Sequence, residues 1–229
     1  MEQLSGGYTL HISPGAFPLS TDSMVLSWFA KLPKNAKILD LGSGCGTLGL
    51  LLCARHPGCA VTGVELDPEA HAAALENIQR NALSARMESI CADLRHIPQR
   101  MAPGIFSFCV SNPPYFSAGP ASQAFTQARR EDTCDLKSLL HTAAWSLKYG
   151  GDFCIVYRPE RMAELFALAS EVKLEPKRLC LVRHKPQDPV SLILVQCRKG
   201  AKPGLLLEEI SLYESDGSPS GTYRTIYNL

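Results

Sequence analysis

The stretch "ILDLGSGCGTLG", Ile38 to Gly49, decides how the rest of the chain is read. It opens as an apolar strand, closes in a glycine-rich turn and runs into the helical "TLGLLLCARH". Glycines at 44, 46 and 49 satisfy a G-x-G-x-x-G spacing. Alone, that spacing marks either a dinucleotide site or a tight strand-to-helix turn. Asp40 sits at the strand end just ahead of the glycines. A carboxylate there repels a pyrophosphate at close range and suits a cationic ligand, such as the amino group of a methionine moiety.

The next strands repeat the arrangement. Glu65 ends "CAVTGVELD", where it can accept hydrogen bonds from both hydroxyls of a ribose. Asp93 ends "MESICAD" and has two readings: an acceptor for an adenine amine, or the cap of a short turn begun by "DLRHIP". Any one of these acids is equally well a helix cap. Three of them at successive strand ends, lining one crevice of a parallel sheet, describe a ligand with an amine, a diol and an adenine. S-adenosylmethionine has all three.

Strands and helices alternate along the chain. "STDSMVLSWFAKL" (20–32) is a helix capped by Ser20, Thr21 or Asp22, and "PEAHAAALENIQRNAL" is a helix with Pro68 in its first turn. "DLKSLLHTAAWSLKYGG" reads as an amphipathic helix closed by Gly150, followed by the strand "DFCIVY" and the helix "PERMAELFALASEV". "RLCLVRHKPQDPVSLILVQCRK" is two strands joined by a polar connection, a hairpin that requires an antiparallel strand at or near one edge. The pattern is an α/β fold with helices on both faces of a mostly parallel sheet. A single domain is expected: an N-terminal cap and helix over 1–33, a Rossmann-like core over 34–200, and a tail over 201–229 whose closing segment "GSPSGTYRTIYNL" packs only in part.

Composition narrows the class. The 229 residues are 45% hydrophobic and 20% charged with a net charge of +1, so any nucleic-acid surface is a local patch. The N-terminus lacks the basic and apolar regions of a secretory signal, and no apolar run reaches a membrane span. None of the nine cysteines forms a CxxC pair. That pattern implies a reduced, cytoplasmic protein with no metal ligand set.

"FSFCVSNPPYF" (106–116) is a buried strand that ends in two consecutive prolines. An exocyclic amine on a base or amide is a poor nucleophile because its lone pair is delocalised. Two acceptors aimed at its hydrogens favour the pyramidal nitrogen and the charge that develops as a methyl group arrives. Asn112 supplies a side-chain carbonyl and Pro113 a backbone carbonyl. Pro114 holds Pro113 extended, and neither ring has an N–H to compete. Tyr115 can stack on the flat face of the target, with Phe116 thickening that wall.

"DLGSGCG", "GVELD", "CAD" and "SNPPYF" resemble the motifs of class I S-adenosylmethionine-dependent amino-methyltransferases. "PLSTDSMVLSWF", "ARREDTCDLKSLLHTAAWSLKYGG" and "YRPERMAEL" resemble more closely the bacterial tRNA adenine-N6 methyltransferases, from about Leu19 to Gly200. The resemblance implies a seven-stranded sheet with an antiparallel last strand and an adenine flipped toward Asn112, Pro113, Pro114 and Tyr115 as the catalytic loop. It implies cofactor contacts at Asp22, Asp40, Gly42, Ser43, Gly44, Gly46, Glu65, Leu66, Asp93, Leu94 and Asn112, and no metal. RNA would meet a local basic face that includes Arg129, Arg130, Lys177, Arg178, Arg183 and Lys185; His184, within that run, reads as a surface residue. The motif specifies the amine and not the molecule that bears it. A protein glutamine methyltransferase and a non-catalytic RNA-binding module with a cofactor pocket therefore remain alternatives. An NAD-dependent oxidoreductase rests on the glycine spacing alone.

Overall fold

In the computed structural model, which describes residues 2–12, 19–113 and 135–228, the apolar strands assemble into one mixed eight-stranded sheet. The chain begins with a small antiparallel ribbon, β1 (Glu2–Gln3) and β2 (Thr9–Leu10), and the helix α1 (Thr21–Phe29). The first alternating half follows as β3 (Lys37–Leu41), α2 (Thr47–Arg55), β4 (Ala60–Glu65), α3 (Pro68–Arg80) and β5 (Met87–Cys91). The second half is β6 (Phe106–Ser111), α4 (Leu136–Ser146), β7 (Leu147–Tyr157), α5 (Met162–Glu171), β8 (Leu174–Arg183) and β9 (Val190–Lys199). The chain closes with β10 (Leu206–Ser211) and α6 (Gly221–Tyr227).

Across the sheet the order is β10-β8-β9-β7-β6-β3-β4-β5. Only β9 runs antiparallel to its neighbours, β7 and β8, because the β8–β9 connection is a hairpin. The strand order reverses between β3 and β6, which is where an open α/β sheet leaves a crevice at its carboxyl edge.

Successive side chains of a strand face opposite sides, and β3 shows the consequence. Ile38 packs into the core beneath α1, α2 and α6, while Leu39 and Leu41 pack into the core beneath α4 and α5. All three are fully buried, as strands covered on both faces require. The eight described cysteines are free thiols, and seven of them are buried. No helix among the described residues is long and apolar enough to cross a membrane.

Three local readings change. The sheet has eight strands where seven were expected: β10 adds in parallel to the edge of β8, from Leu206 beside Arg178 to Ser211 beside Arg183. The segment expected to pack only in part also seats Ile226 of α6 in the core, and Arg55 donates to the Ile226 carbonyl. Finally, α4 ends at Ser146 and not at Gly150. Leu147 is fully buried and pairs with Phe106 at the start of β7, so the chain leaves the helix to enter the sheet; Gly150, at φ +75°, lies within β7 where the register shifts.

Candidate functional site

The glycine turn is built from backbone bonds onto the neighbouring strand. The amides of Gly42 and Ser43 both donate to the Val64 carbonyl, at 2.9 and 3.0 Å, and Gly46 N–H donates to Ser43 O at 2.9 Å. Gly42, Gly44 and Gly46 take φ of +75°, +55° and +84°, the left-handed region that other residues avoid. A Cβ at Gly42 or Gly44 would meet nothing within 4 Å, so the turn borders open space there. Ser43 folds the other way: its Oγ lies 2.7 Å from where a Cβ of Gly63 would stand, an approach only glycine permits.

Asp40 is 1% exposed at the end of β3, and its Oδ2 has no hydrogen-bond partner among the described residues. Burial pushes its carboxyl up to about 7, and the nearby Glu65 adds to this; a Gly49 N–H pulls the other way. A buried carboxylate with an orphaned oxygen beside a second acid attracts a cation. Glu65 itself is engaged on both oxygens, with Gly44 N–H at 2.7 Å and Asp67 N–H at 2.9 Å. It ties the glycine turn to the start of α3, and each oxygen keeps a lone pair for a further donor. Leu66, next in the chain, is 44% exposed and offers an apolar face at the same strand end.

Asp93 adopts the capping geometry. It caps the turn Leu94–Gln99 through Arg95 N–H at 2.8 Å and forms an ion pair with the Arg95 side chain, which holds its carboxyl below the usual range. Leu94 is 9% exposed in the core, and its carbonyl accepts from Thr142 Oγ1 at 3.1 Å.

Asn112 follows β6, the strand next to β3, and its Nδ2 donates to Ser23 Oγ at 3.0 Å. With the nitrogen engaged, the amide oxygen is the end left to accept. Pro113 is buried beside it. Ser20 caps α1 by accepting from Ser23 N–H, so Asp22 and Ser23 stand in the helix's first turn. Pro114, Tyr115, Phe116, Arg129 and Arg130 lie outside the described residues.

Two residues at the site escaped the sequence reading. Ser23 is the partner of Asn112. Asn77, fully buried on α3, donates to Cys45 O at 2.9 Å and to His11 O at 2.8 Å, and accepts from His11 N–H at 2.7 Å. It anchors the glycine turn and the N-terminal segment together. A signal was present: α3 buries Ala70, Ala73, Ala74, Asn77 and Ile78, so a polar residue occupies its apolar stripe.

Of the residues expected to form a basic face, Arg178 departs from that role. Arg178 is drawn inward, pairing with Glu208, donating to Phe29 O and lying 4.0 Å over the Phe29 ring. That packing removes it from an outward phosphate-contacting role. Arg183 pairs with Glu209, and Lys177 donates to Lys202 O.

The strand order, the glycine turn with its buried acid and the amide at the end of β6 define a methyltransferase of the Rossmann-like α/β class. The chain belongs to the methyltransferase small domain family, whose model matches residues 11–173. A relative from Bacteroides fragilis, named tRNA1(Val) (adenine(37)-N6)-methyltransferase, is 32% identical over 202 residues, covering 86% of this chain and 84% of its own. One of the same name from Photobacterium profundum is 28% identical, covering 84% of each chain. The crystal structure of a protein described as a predicted O-methyltransferase from Agrobacterium tumefaciens superposes with a TM-score of 0.76 at 22% identity, over 91% of this chain and 96% of that one. The oxidoreductase reading of the glycine spacing is thereby set aside.

Proposed function

We propose that this protein methylates the N6 amine of an adenine in tRNA, in the cytoplasm, with S-adenosylmethionine as donor. The observation that carries the reading is Asn112: an amide fixed through its nitrogen, at the strand end beside the glycine turn, in a chain similar to relatives named for this reaction. The residues present suit the donor. Asp40 is a buried acid with an orphaned oxygen for its cationic end, Glu65 keeps lone pairs for a diol, and Leu66 offers an apolar face for the adenine. Asp22, Ser43, Asp93 and Leu94 would complete the surround. In that surround, Asp93 contributes mainly by capping the turn that presents Leu94.

When bound, S-adenosylmethionine supplies an electrophilic methyl group. Asn112 Oδ1 and the Pro113 carbonyl accept the two hydrogens of the adenine amine and stabilise the positive charge that builds on nitrogen. Pro114 restricts Pro113, and Tyr115 stacks on the base. The surplus amine proton leaves to water after transfer. Lys177, Arg183 and Lys185, with Arg129 and Arg130, would meet the phosphates.

The test uses purified protein, radiolabelled S-adenosylmethionine and total RNA from bacteria lacking this modification. Label at N6-methyladenosine after digestion is the expected result. Unlabelled RNA from protein that still binds the donor would overturn the reading.

A further inference from the structure

We propose that an aromatic cavity beside the Asn112 loop is a stacking subsite for one unpaired RNA base next to the adenine that is methylated; this rests on the tRNA reading above. The cavity, about 250 Å³, is bounded by Asp22, Arg158, His184, Leu212, Tyr213 and Tyr223. Its position follows from the topology. Arg158 follows β7, His184 follows β8 and Tyr213 comes just after β10, as Asn112 follows β6. All four therefore stand at the same edge of the sheet. The first turn of α1 joins the two places: Asp22 lines the cavity, and Ser23, the next residue, holds Asn112.

The wall is a ladder of rings. His184 and Tyr213 have centroids 4.6 Å apart, Tyr213 and Tyr223 5.1 Å, and Tyr223 and Tyr227 4.2 Å with only 20° between their planes. His184 is exposed, and Tyr213 and Tyr223 are half-buried, so ring surface remains at the mouth. The tail that carries the three tyrosines is the part of the chain whose role the sequence left open. Its strand and helix hold those rings at the substrate edge.

Aromatic faces of this kind match an unstacked base, since every base has a π-face and a single-stranded loop leaves it unsatisfied. Flipping an adenine toward Asn112 strips its neighbour of a stacking partner, and a ring wall further along the same edge of the sheet replaces it. Arg158, which donates to Ser191 O at 3.3 Å, and Lys185, which follows His184, put positive charge where the sugar–phosphate linking the two bases would run.

The experiment measures kcat/KM for methylation of an unmodified tRNA1(Val) anticodon stem-loop and of versions with each base flanking the target adenine replaced by an abasic nucleotide. Wild type is compared with His184→Ala, an exposed change, and Tyr223→Leu, which keeps an apolar side chain without a π-face. Tyr223→Phe should behave as wild type. The expected result is a roughly five- to hundredfold loss for wild type at one flanking position. The two variants should lose a comparable factor on intact RNA and little more on that abasic RNA, with donor affinity unchanged. If no flanking position matters, or if the variants remain as sensitive to the abasic change as wild type, the subsite is refuted while adenine methylation stands. If wild type methylates neither the stem-loop nor full-length tRNA carrying the same loop, the adenine reading falls and the subsite with it; if only full-length tRNA is a substrate, the abasic series is made in that RNA and the same criteria decide. Should Tyr223→Leu fail to fold, His184→Ala decides the outcome.

Discussion

Asn112 Nδ2 donates to Ser23 Oγ at 3.0 Å, so the end of β6 is held to the first turn of α1. The bond joins residues 89 positions apart and leaves the oxygen as the end of the amide free to accept from a substrate amine, as the proposed mechanism requires. Without it the amide can rotate and present an N–H where an acceptor is needed.

Asn112→Ala should therefore reduce kcat by about 100- to 1,000-fold, the range for removing one preorganised polar group, with donor affinity within a few fold of wild type. Ser23→Ala keeps the amide but frees it, and should lower kcat by about 10- to 100-fold through misplacement alone. Single-turnover methylation alongside calorimetric donor binding separates the two. Full activity of Asn112→Ala would sink the mechanism.

Asp40 should make donor binding pH-dependent. Its carboxyl is raised from 3.8 to about 7, chiefly by burial and then by Glu65. A cationic ligand binds the ionised form. Affinity should thus be level above pH 7 and weaken by up to tenfold per unit below it, as titration between pH 5.5 and 8.5 would reveal. The ligand-free protein should show the opposite trend. An acid whose folded value is raised loses folding stability as pH climbs from about 4 to about 7, on the order of a few kcal/mol at about 1.4 kcal/mol per unit. Asp40→Asn should then raise the melting temperature at pH 8, raise it by less at pH 5, and abolish the pH dependence of binding.

How legible the site was depended on sequence distance. Asp40, the glycine turn and Glu65 belong to one strand–turn–strand unit, so local pattern was enough to place them. Asp93 had two readings because a carboxylate at a strand end and one at a turn start look alike in sequence; the Arg95 two residues on favours the cap. Ser23 and Asn77 act across 89 and 32 residues, through bonds that exist only after the sheet forms. β10 stayed hidden because "LLEEIS" is only half apolar. Its pairing with β8 and the Arg178–Glu208 ion pair define it, and Leu206 and Leu207 remain exposed.

Gly44→Ala separates conformational cost from ligand cost. At φ +55° a Cβ costs roughly 1–2 kcal/mol of stability. It meets no protein atom within 4 Å, so it protrudes into the open space beside the turn. Donor affinity should fall by more than the strain explains, over tenfold, while the protein remains folded. Gly49→Ala meets Met87 Cε at 2.5 Å on the other side and should affect stability without that loss of affinity.

Asn77 gives the last contrast. Asn77→Leu suits the apolar stripe of α3 but strands the Cys45 carbonyl and both backbone groups of His11. At about 1–3 kcal/mol for each buried group left unpaired, a loss of several kcal/mol is expected, and the glycine turn should loosen. Asn81, one turn further on, bonds Thr9 N–H and O at 2.8 Å each and makes no bond to the turn. Asn81→Ala should therefore lower stability by a smaller amount and leave donor affinity alone. Denaturant midpoints with donor titrations on both variants decide this. Equal losses of affinity would mean that the N-terminal segment, and not the Cys45 contact, shapes the turn.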